Sequence, residues 1–309
     1  MPESLMLEEP SQAVLRDARK LVRSKERRAA GKFLAEGRQA VREALKVPGV
    51  VESLFLRWSS ARDNVDLVEL ARAGGVPVYG VSEQNLATMS DTVTPQGVIA
   101  VCEEVDISLS ELMGTKRKNP AVPKKKSKHQ RRDVSLVVIC AQIRDPGNAG
   151  TVIRCADAFG ADAVILSSDS VEVYNPKVVR ASVGSLFHLP IVRDVPLEQA
   201  IGACRAAGMQ ILATDGDAGT DLTDLEADLG EPTAWVMGNE AWGLPSESLE
   251  LADHTVAVPI YGQAESLNLA TAAAICLYAS ATAQRATGQA ASSAEQPSLP
   301  VADAEPAAQ

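Results

Sequence analysis

A chain of 309 residues, 46% of them hydrophobic, can bury the core of one large domain or two smaller ones. No stretch approaches the roughly 20 apolar residues of a membrane span, and the N-terminal MPESLMLEEPSQ lacks the basic, then apolar, order of a signal peptide. We therefore expect a cytoplasmic protein with no membrane partner. The formal net charge of -10 would disfavour a nucleic-acid partner only if it were spread evenly.

The charge is distributed unevenly along the chain. Residues 16–46 carry eleven Lys or Arg against four acids, and a second basic run, KRKNPAVPKKKSKHQRR, covers residues 116–132. Such asymmetry indicates that a polyanion binds at one end of the protein. The alternative is a solvated helix face followed by a linker.

Helical periodicity over residues 11–46, interrupted by Gly31, predicts two helices at the start of the chain. Short strands then alternate with helices, which predicts a small α/β domain over residues 1–104. The predicted strands are VVESLFLRW, VPVYGVS and TPQGVIAVCEE, and the predicted helices are DNVDLVELARAGG and EQNLATMS. Residues 105–133, with Gly, Pro and a Lys cluster, predict a basic, flexible linker.

A second α/β domain is predicted over residues 134–285. Its strands are continuous apolar runs, which is typical of a parallel sheet with helices on both faces. Helices are predicted at 149–159, 176–185, 197–207 and 267–283. Residues 286–309 are rich in Ala, Ser and Pro and are predicted to form a disordered tail. The predicted strands are VSLVVICA, ADAVILSS, MQILATD, TAWVMG and HTVAVPI.

The five cysteines are scattered, with no C-x-x-C and no nearby histidine pair, and are expected to be reduced core residues. The three histidines, His129, His188 and His254, are too dispersed to predict a metal site. No G-x-S-x-G nucleophile elbow is present. We therefore expect neither a metal ion nor a disulfide framework.

Small polar turns follow four of the strands of the second domain. They read QIRDPGNAG, GDAGT, NEAWGLP and YGQAESLN. Ligands of doubly wound sheets bind outside the carboxyl ends of the strands, so these turns predict the site. The first turn fits neither G-x-G-x-x-G nor G-x-x-x-x-G-K-[ST], which disfavours a nucleotide-phosphate loop.

The helix after QIRDPGNAG presents two candidate residues. Arg154 points away from its apolar side, with small neighbours that leave the guanidinium free for a bidentate contact to phosphate or carboxylate. An ordinary exposed Arg is the alternative. Asn148 stands at the mouth of the helix, where an N-cap is the simpler interpretation.

Three further candidates lie in the last two turns. Glu240 stands between two glycines at the end of a buried strand, where a carboxylate is costly unless it has a hydrogen-bonding partner or role. The alternative is that it caps the turn at 244–249. Ser266 could cap the following helix, but Asn268, two residues later, indicates the edge of a site. The Ala-rich helix after them offers a smooth surface for packing within the chain or between two subunits.

Taken together, NAGTVIR, GNEAWGLP and ESLNLATAAA resemble the three motifs of the SpoU (TrmH) family of RNA ribose 2'-O-methyltransferases, in the family's order and spacing. The stretch NPKVVRASVGSLFHLPI is similar to the ribosomal-RNA members. The resemblance covers residues 134–284 strongly, and residues 30–104 more weakly as a ribosomal-protein-like RNA-binding domain.

The resemblance implies a SPOUT fold, in which helices sandwich a parallel sheet and the C-terminal segment forms a trefoil knot. General folding rules would exclude a knot, so this expectation comes from the family alone. It also implies a homodimer that binds S-adenosylmethionine. The residues implied in cofactor binding are Thr214, Gly238, Val258, Ile260 and Leu267.

The implied reaction is methyl transfer to a ribose 2'-hydroxyl in structured RNA, with 23S ribosomal RNA favoured over transfer RNA. Arg154 is implied as the central catalytic residue, reaching a site that the other subunit completes. Asn148, Glu240, Ser266 and Asn268 would orient it and the substrate. Because free Arg stays protonated, we expect a phosphate clamp that also polarises the hydroxyl rather than a general base.

Two other classes are weighed against this one. A non-catalytic RNA-binding or assembly factor would keep the basic regions, but the five implied catalytic residues are all present here. A dinucleotide-dependent oxidoreductase would suit the α/β alternation, yet the G-x-G-x-x-G that it requires after the first strand is missing.

Overall fold

The computed structural model describes residues 7–92, 94–114, 134–225 and 228–294, which fold around two sheets. The first sheet has the strand order β1-β4-β2-β3, in which β2 pairs parallel with β3 and antiparallel with β4. Its elements are α1 (Gln12–Lys20), α2 (Ser24–Ala30), β1 (Lys32–Glu36), α3 (Arg38–Leu45), β2 (Val51–Arg57), α4 (Val65–Ala73), β3 (Val78–Val81), α5 (Glu83–Ala87), β4 (Val98–Glu103) and α6 (Leu109–Leu112).

The helical prediction for residues 11–46 is wrong over β1. Gly31 does end a helix, with the left-handed φ of 64° that suits glycine, but a strand follows it. Phe33, Leu34 and Ala35 are all buried, and β1 pairs antiparallel with β4 along its whole length. Tertiary pairing of this apolar triplet therefore overrides the helical periodicity on either side.

The second sheet contains six strands in the order β10-β8-β9-β5-β6-β7, and every neighbouring pair is parallel. This confirms the predicted α/β class and parallel sheet. Its elements are β5 (Leu136–Cys140), α7 (Pro146–Phe159), β6 (Ala163–Ser167), α8 (Pro176–Ser182), β7 (Ile191–Val195), α9 (Leu197–Ala206), β8 (Gln210–Thr214), β9 (Thr233–Met237), α10 (Ser246–Leu249), β10 (His254–Val256) and α11 (Leu269–Ala294).

Strand β7 escaped the sequence analysis because it does not look like the other strands. Only Ile191 and Val192 are buried, the next three residues are partly or fully exposed, and Asp194 has a φ of 57°. The strand lies at the edge of the sheet, where one side has no pairing partner, so it needs no continuous apolar run.

The predicted linker and tail are partly structured. Residues 108–111 form a capping box at the start of α6, and Leu109 and Leu112 are buried in the core of the second sheet. Helix α11 continues to Ala294, beyond the predicted boundary at 286. The basic run at 116–132 and residues 295–309 lie outside the described residues.

The two sheets share one hydrophobic core. A single cluster of buried side chains includes strands of both, and Phe33 of β1 stacks on Tyr174 at a centroid distance of 4.5 Å. At the same junction Arg27, 2% exposed, makes two hydrogen bonds of 2.7 and 2.6 Å to the carboxylate of Glu172. The first unit is therefore packed directly against the second.

Two further polar contacts cross the junction between the units. Arg180 of α8 pairs with Glu36 of β1 at 3.3 Å and also with Asp91. His188 lies between Asp157 of α7, at 2.7 Å, and Glu43 of α3, at 3.2 Å. These contacts fix the rotation of one unit about the other.

The cysteines are unpaired in the structure, as predicted, and four of the five are buried. Burial raises the pKa of the Cys140, Cys204 and Cys276 thiols to about 12, which makes them unreactive at neutral pH. Within the described part of the chain, no helix is both long enough and apolar enough to span a membrane.

Candidate active site

A cleft of about 810 Å³ opens at the carboxyl ends of β8, β9 and β10. Its walls are the loops that follow these strands, together with Asn148 on α7. Beside it the chain reverses direction through the sheet, since β6 and β7 lie on one side of β5 whereas β9 and β8 lie on the other. Ligands of open α/β sheets bind at such switch points.

Three of the predicted catalytic residues form one hydrogen-bonded chain across the cleft. Asn268 Nδ2 donates to Asn148 Oδ1 at 2.9 Å, and Asn148 Nδ2 donates to Glu240 Oε1 at 3.2 Å. The chain joins the start of α11, the first turn of α7 and the loop after β9. The three sequence motifs therefore meet in space at this point.

Local structure explains why these side chains are free to meet. Asp145 is the N-cap of α7 and accepts the backbone N–H of Asn148 at 2.7 Å, so the N-cap interpretation of Asn148 is wrong. Asn268 caps α11, because its Oδ1 accepts the backbone N–H groups of Ala270 and Thr271. Its Nδ2 is thereby aimed at Asn148.

Glu240 does not cap the turn that follows it. Its carboxylate accepts the backbone N–H groups of Arg144, at 3.2 Å, and Asp145, at 3.0 Å. Partial burial opposes ionisation, but these backbone bonds and the Asn148 amide outweigh it and hold the pKa of Glu240 below its ordinary value of 4.5. Glu240 is therefore a charged tie between two loops at neutral pH.

A tight turn shapes the floor of the cleft. The backbones of Asn239 and Gly243 exchange two hydrogen bonds of 2.8 and 2.9 Å. A Cβ on Gly238 would lie 2.6 Å from the carbonyl carbon of Gly243, so only glycine permits this close approach. Asn239, 5% exposed, donates to the carbonyl oxygen of Gln142 at 2.7 Å and accepts from Ala241 N–H at 2.8 Å.

The five residues predicted to bind the cofactor all line the cleft. Four of them, Thr214, Val258, Ile260 and Leu267, come from the loops on either side, and Gly238 comes from the floor. Ser266 also lines the cleft and is exposed. The structure thus brings together nine of the ten predicted site residues.

Arg154 is the exception. It lies six residues after Asn148 on α7, about 9 Å farther along the helix axis at 1.5 Å per residue. Its side chain is exposed and, within the described residues, makes no hydrogen bond or ion pair. It does not line the cleft.

The cleft has a strongly acidic lining. Asp215, Asp221, Glu240 and Glu265 line it, and no Lys, Arg or His does so among the described residues. Such a surface attracts a cationic ligand and repels one that carries phosphates.

Two residues that the sequence analysis did not single out contribute to the site. Asn239 holds the floor of the cleft, and its position between Gly238 and Glu240 at a strand end was the available signal, since a buried amide needs partners. Arg144 is exposed next to Glu240, with no side-chain bond within the described residues. Its position beside a Pro-Gly turn gave no signal of its own.

The fold and cleft define an α/β protein with a ligand site at the switch point of a parallel sheet and a smaller sheet unit packed beside it. The sequence model of the SpoU rRNA Methylase family matches residues 135–278. A second, described as RNA 2'-O ribose methyltransferase substrate binding, matches residues 34–107. The two matches coincide with the two sheets.

Individual relatives agree with these matches. The chain is 35% identical over 264 residues to the 23S rRNA (guanosine(2553)-2'-O)-methyltransferase RlmP of Bacillus subtilis, covering 85% of this chain and 94% of that one. The SpoU methyltransferase AviRb of Streptomyces viridochromogenes, solved in complex with the cofactor AdoMet, superposes with a TM-score of 0.70 at 31% identity, covering 90% of this chain and 100% of that one.

A third relative is the AdoMet-bound rRNA methyltransferase of Sinorhizobium meliloti, with a TM-score of 0.69 at 29% identity, covering 89% of this chain and 96% of that one. The chain belongs to the SpoU methylase family. The resemblance drawn from the three motifs is thereby confirmed.

Proposed function

We propose that this protein transfers the methyl group of S-adenosylmethionine to the 2'-hydroxyl of a ribose in 23S ribosomal RNA. The family and its relatives support the reaction and the cofactor. The relatives named for 23S rRNA favour that substrate over transfer RNA. A cytoplasmic location, where ribosomal RNA is found, belongs to the same proposal.

The acidic cleft is the observation that carries this function. S-adenosylmethionine bears a sulfonium cation and no phosphate, so it suits a cleft that four carboxylates line and to which the described residues contribute no Lys, Arg or His. The same surface would repel the pyrophosphate of a dinucleotide, which argues against an oxidoreductase. When bound, the cofactor would supply an electrophilic methyl group: the 2'-oxygen would form the new O–C bond as the methyl–sulfur bond breaks, S-adenosylhomocysteine would leave as a neutral thioether, and the hydroxyl proton would pass to solvent.

The residues of the cleft support distinct roles in this proposal. Val258, Ile260 and Leu267 supply apolar contacts for the adenine, and the polar backbone of the turn at Gly238 can read its edge. Thr214 stands at the end of β8 beside them. The Asn268–Asn148–Glu240 chain and Ser266 would fix the loops around the reacting ribose.

Arg154 would act from outside the cleft of its own subunit. Its unpaired, exposed guanidinium suits a clamp on the target's phosphate. Ile275 and Tyr278 of α11 are also exposed, 37% and 60%, on a helix that packs against α7. These features support a homodimer in which Arg154 reaches the partner's cleft.

The trefoil knot of the family is part of the same proposal. Thr220 and Leu222, in the loop after β8, exchange backbone hydrogen bonds with Ala257, just after β10. The segment that leads into α11 thus runs alongside an earlier loop, as a knotted chain requires. The domain boundaries at residues 104, 133 and 285 likewise stay proposals, and the smaller unit would bind the RNA.

The test of this function is methyl transfer by the purified protein. Tritiated S-adenosylmethionine and a 23S ribosomal RNA transcript should give labelled RNA, and mapping should place the label on a ribose 2'-oxygen. Label on transfer RNA alone would change the assigned substrate from ribosomal to transfer RNA. RNA binding without label would favour a non-catalytic assembly factor.

Arg154→Ala should abolish this activity because it removes the guanidinium proposed to clamp the target's phosphate, while the affinity for S-adenosylmethionine, measured by calorimetry, should stay within about twofold because Arg154 does not line the cleft. Arg205→Ala, which removes an exposed Arg of α9, is the matched control and should retain activity. An active Arg154→Ala protein would contradict the assigned role.

A further inference from the structure

Two exposed aromatic side chains directly adjoin, in the sequence, residues that line the cleft. Trp242 is 55% exposed and Tyr261 is 91% exposed, in a chain with only 3 Trp, 4 Tyr and 4 Phe. Trp242 belongs to the turn that forms the floor of the cleft, and Tyr261 follows Ile260, which lines its wall. Neither side chain belongs to the hydrophobic core.

Trp242 is exposed on a turn that hydrogen bonds close on both sides. The turn that carries it is closed by the two backbone bonds between Asn239 and Gly243, and Gly243 adopts a φ of 68°. The buried side chain of Asn239 ties the same turn to Gln142. An indole on so constrained a turn loses little further backbone freedom when a ligand stacks on it.

An unpaired cation lies next to this aromatic surface. The backbone N–H of Arg144 donates to Glu240, two residues before Trp242, so the loop of Arg144 and the turn of Trp242 are in direct contact. The guanidinium of Arg144 is exposed and, within the part of the chain described, has no hydrogen-bond or ion-pair partner. The lining of the cleft is acidic, whereas the loop that is hydrogen-bonded to Glu240 carries the exposed guanidinium of Arg144.

We propose that Arg144, Trp242 and Tyr261 form a lip that binds one nucleotide of the substrate RNA: an aromatic ring stacks on the base, and the guanidinium binds a flanking phosphate. Stacking tolerates any base, because every base has a π face, whereas the cation provides the contact to the strand. A stacked base fixes its own ribose at the entrance of the cleft. This inference rests on the proposed function and adds its RNA contact.

Steady-state kinetics with a 23S ribosomal RNA transcript test the lip. Trp242→Ala should lower kcat/KM for RNA about 5- to 150-fold, the range found when one stacking aromatic is removed, and Tyr261→Ala should lower it less. Trp242→Phe keeps a ring and should recover most of the loss. The KM for S-adenosylmethionine should stay within about twofold in all three variants.

Arg144→Ala should weaken RNA binding and reduce the slope of log affinity against log salt by about one, because one phosphate contact is lost. Arg205→Ala, which removes an exposed Arg of α9 in the second unit, is the control for a general loss of charge and should leave the RNA affinity and the salt slope nearly unchanged. Equal effects of the two variants would contradict the proposal.

Tryptophan fluorescence tests the stacking without turnover. In Trp58→Phe, the remaining indoles are Trp242 and the fully buried Trp235, so quenching by the transcript reports Trp242. We expect saturable quenching there, and its loss in Trp58→Phe/Trp242→Phe. Absence of quenching would contradict the proposed lip, and so would a wild-type kcat/KM in Trp242→Ala. An altered sedimentation coefficient in Trp242→Ala would also contradict it, because that result would assign the indole to a subunit interface. Because quenching needs no methyl transfer, it separates failure of the lip from failure of the proposed function.

Discussion

The carboxylate of Glu240 connects the loop after β9 to the loop before α7. It accepts two backbone N–H groups, those of Arg144 and Asp145, and the Asn148 amide. A single ionised side chain thereby fixes the relative position of two motifs that are separated by more than ninety residues in the sequence. Its three hydrogen bonds give it a structural role in holding the two loops together.

Glu240→Gln should lower the free energy of unfolding by roughly 1 kcal/mol at pH 7, because an amide cannot replace the charged acceptor of several bonds. The lowered pKa of Glu240 means that its contribution is present above pH 4.5 and is lost as the pH falls through the folded pKa. Urea denaturation of both proteins at pH 7 and pH 3.5 measures the difference.

The matched control for this prediction is Glu247→Gln. Glu247 is exposed on α10, has no side-chain bond within the described residues, and should change the free energy of unfolding by less than about 0.5 kcal/mol. A Glu240→Gln protein as stable as this control would show that the carboxylate ties are not needed.

At the scale of the element, helices α7 and α8 pack closely because Gly150 faces α8. A Cβ at position 150 would lie 2.5 Å from the carbonyl oxygen of Val178 and 2.5 Å from the Ala181 Cβ. The first of these atoms is backbone and cannot rotate away. The glycine thus sets the distance between the two helices, and with it the position of the Asn148 end of α7.

Gly150→Ala should lower the free energy of unfolding by about 1 to 3 kcal/mol, because α8 must shift to make room. Gly202→Ala is its matched control: this glycine lies within α9 and a Cβ there would meet nothing within 4 Å. It should raise stability by about 0.5 to 1 kcal/mol. Thermal unfolding of the two variants, compared with the wild type, measures these changes. Equal changes in melting temperature would contradict the packing argument.

Elements with a strong local signal could be predicted from sequence, whereas those defined by distant partners could not. The buried strands β5, β6, β8 and β9 have continuous apolar runs, and all were predicted. Strand β1 is surrounded by helical periodicity and forms because β4 pairs with it. Edge strand β7 lacks an apolar pattern altogether.

The site shows the same division. Residues at strand ends were found because topology places those ends together, so Glu240 and Asn268 needed no knowledge of their partners. Their hydrogen bonds could not be predicted: Asn148 was interpreted as an N-cap, although Asp145 caps α7. Arg144, held only by its backbone, had no pattern to reveal it.

At the scale of the whole molecule, the basic N-terminal segment has a structural function as well as the predicted electrostatic one. Seven of its eleven cations form ion pairs: Arg16, Lys20, Arg27, Lys32, Arg38, Arg42 and Lys46. Arg27, buried between the two units, cannot contact a polyanion. The exposed members of the segment keep that role as a prediction.

Arg27→Ala should lower the free energy of unfolding by about 3 to 5 kcal/mol, since it leaves the carboxylate of Glu172 buried and unpaired. Arg16→Ala removes an exposed pair with Asp17 and should leave the free energy of unfolding nearly unchanged, because solvent screens that pair. Urea denaturation compares them, and Arg27→Met combined with Glu172→Leu should recover most of the loss. An Arg27→Ala protein as stable as Arg16→Ala would refute the assignment.

The shared core and the ion pairs between the units have a consequence for substrate choice under the proposed function. Because the RNA-binding unit is packed directly against the unit that holds the cleft, the distance between the RNA-binding surface and the cleft is set by the fold. The enzyme would accept a ribose that the folded RNA places at that distance from the bound surface. Such an enzyme would select its nucleotide by the three-dimensional shape of the RNA, and unfolding the RNA would remove the target even with the sequence intact.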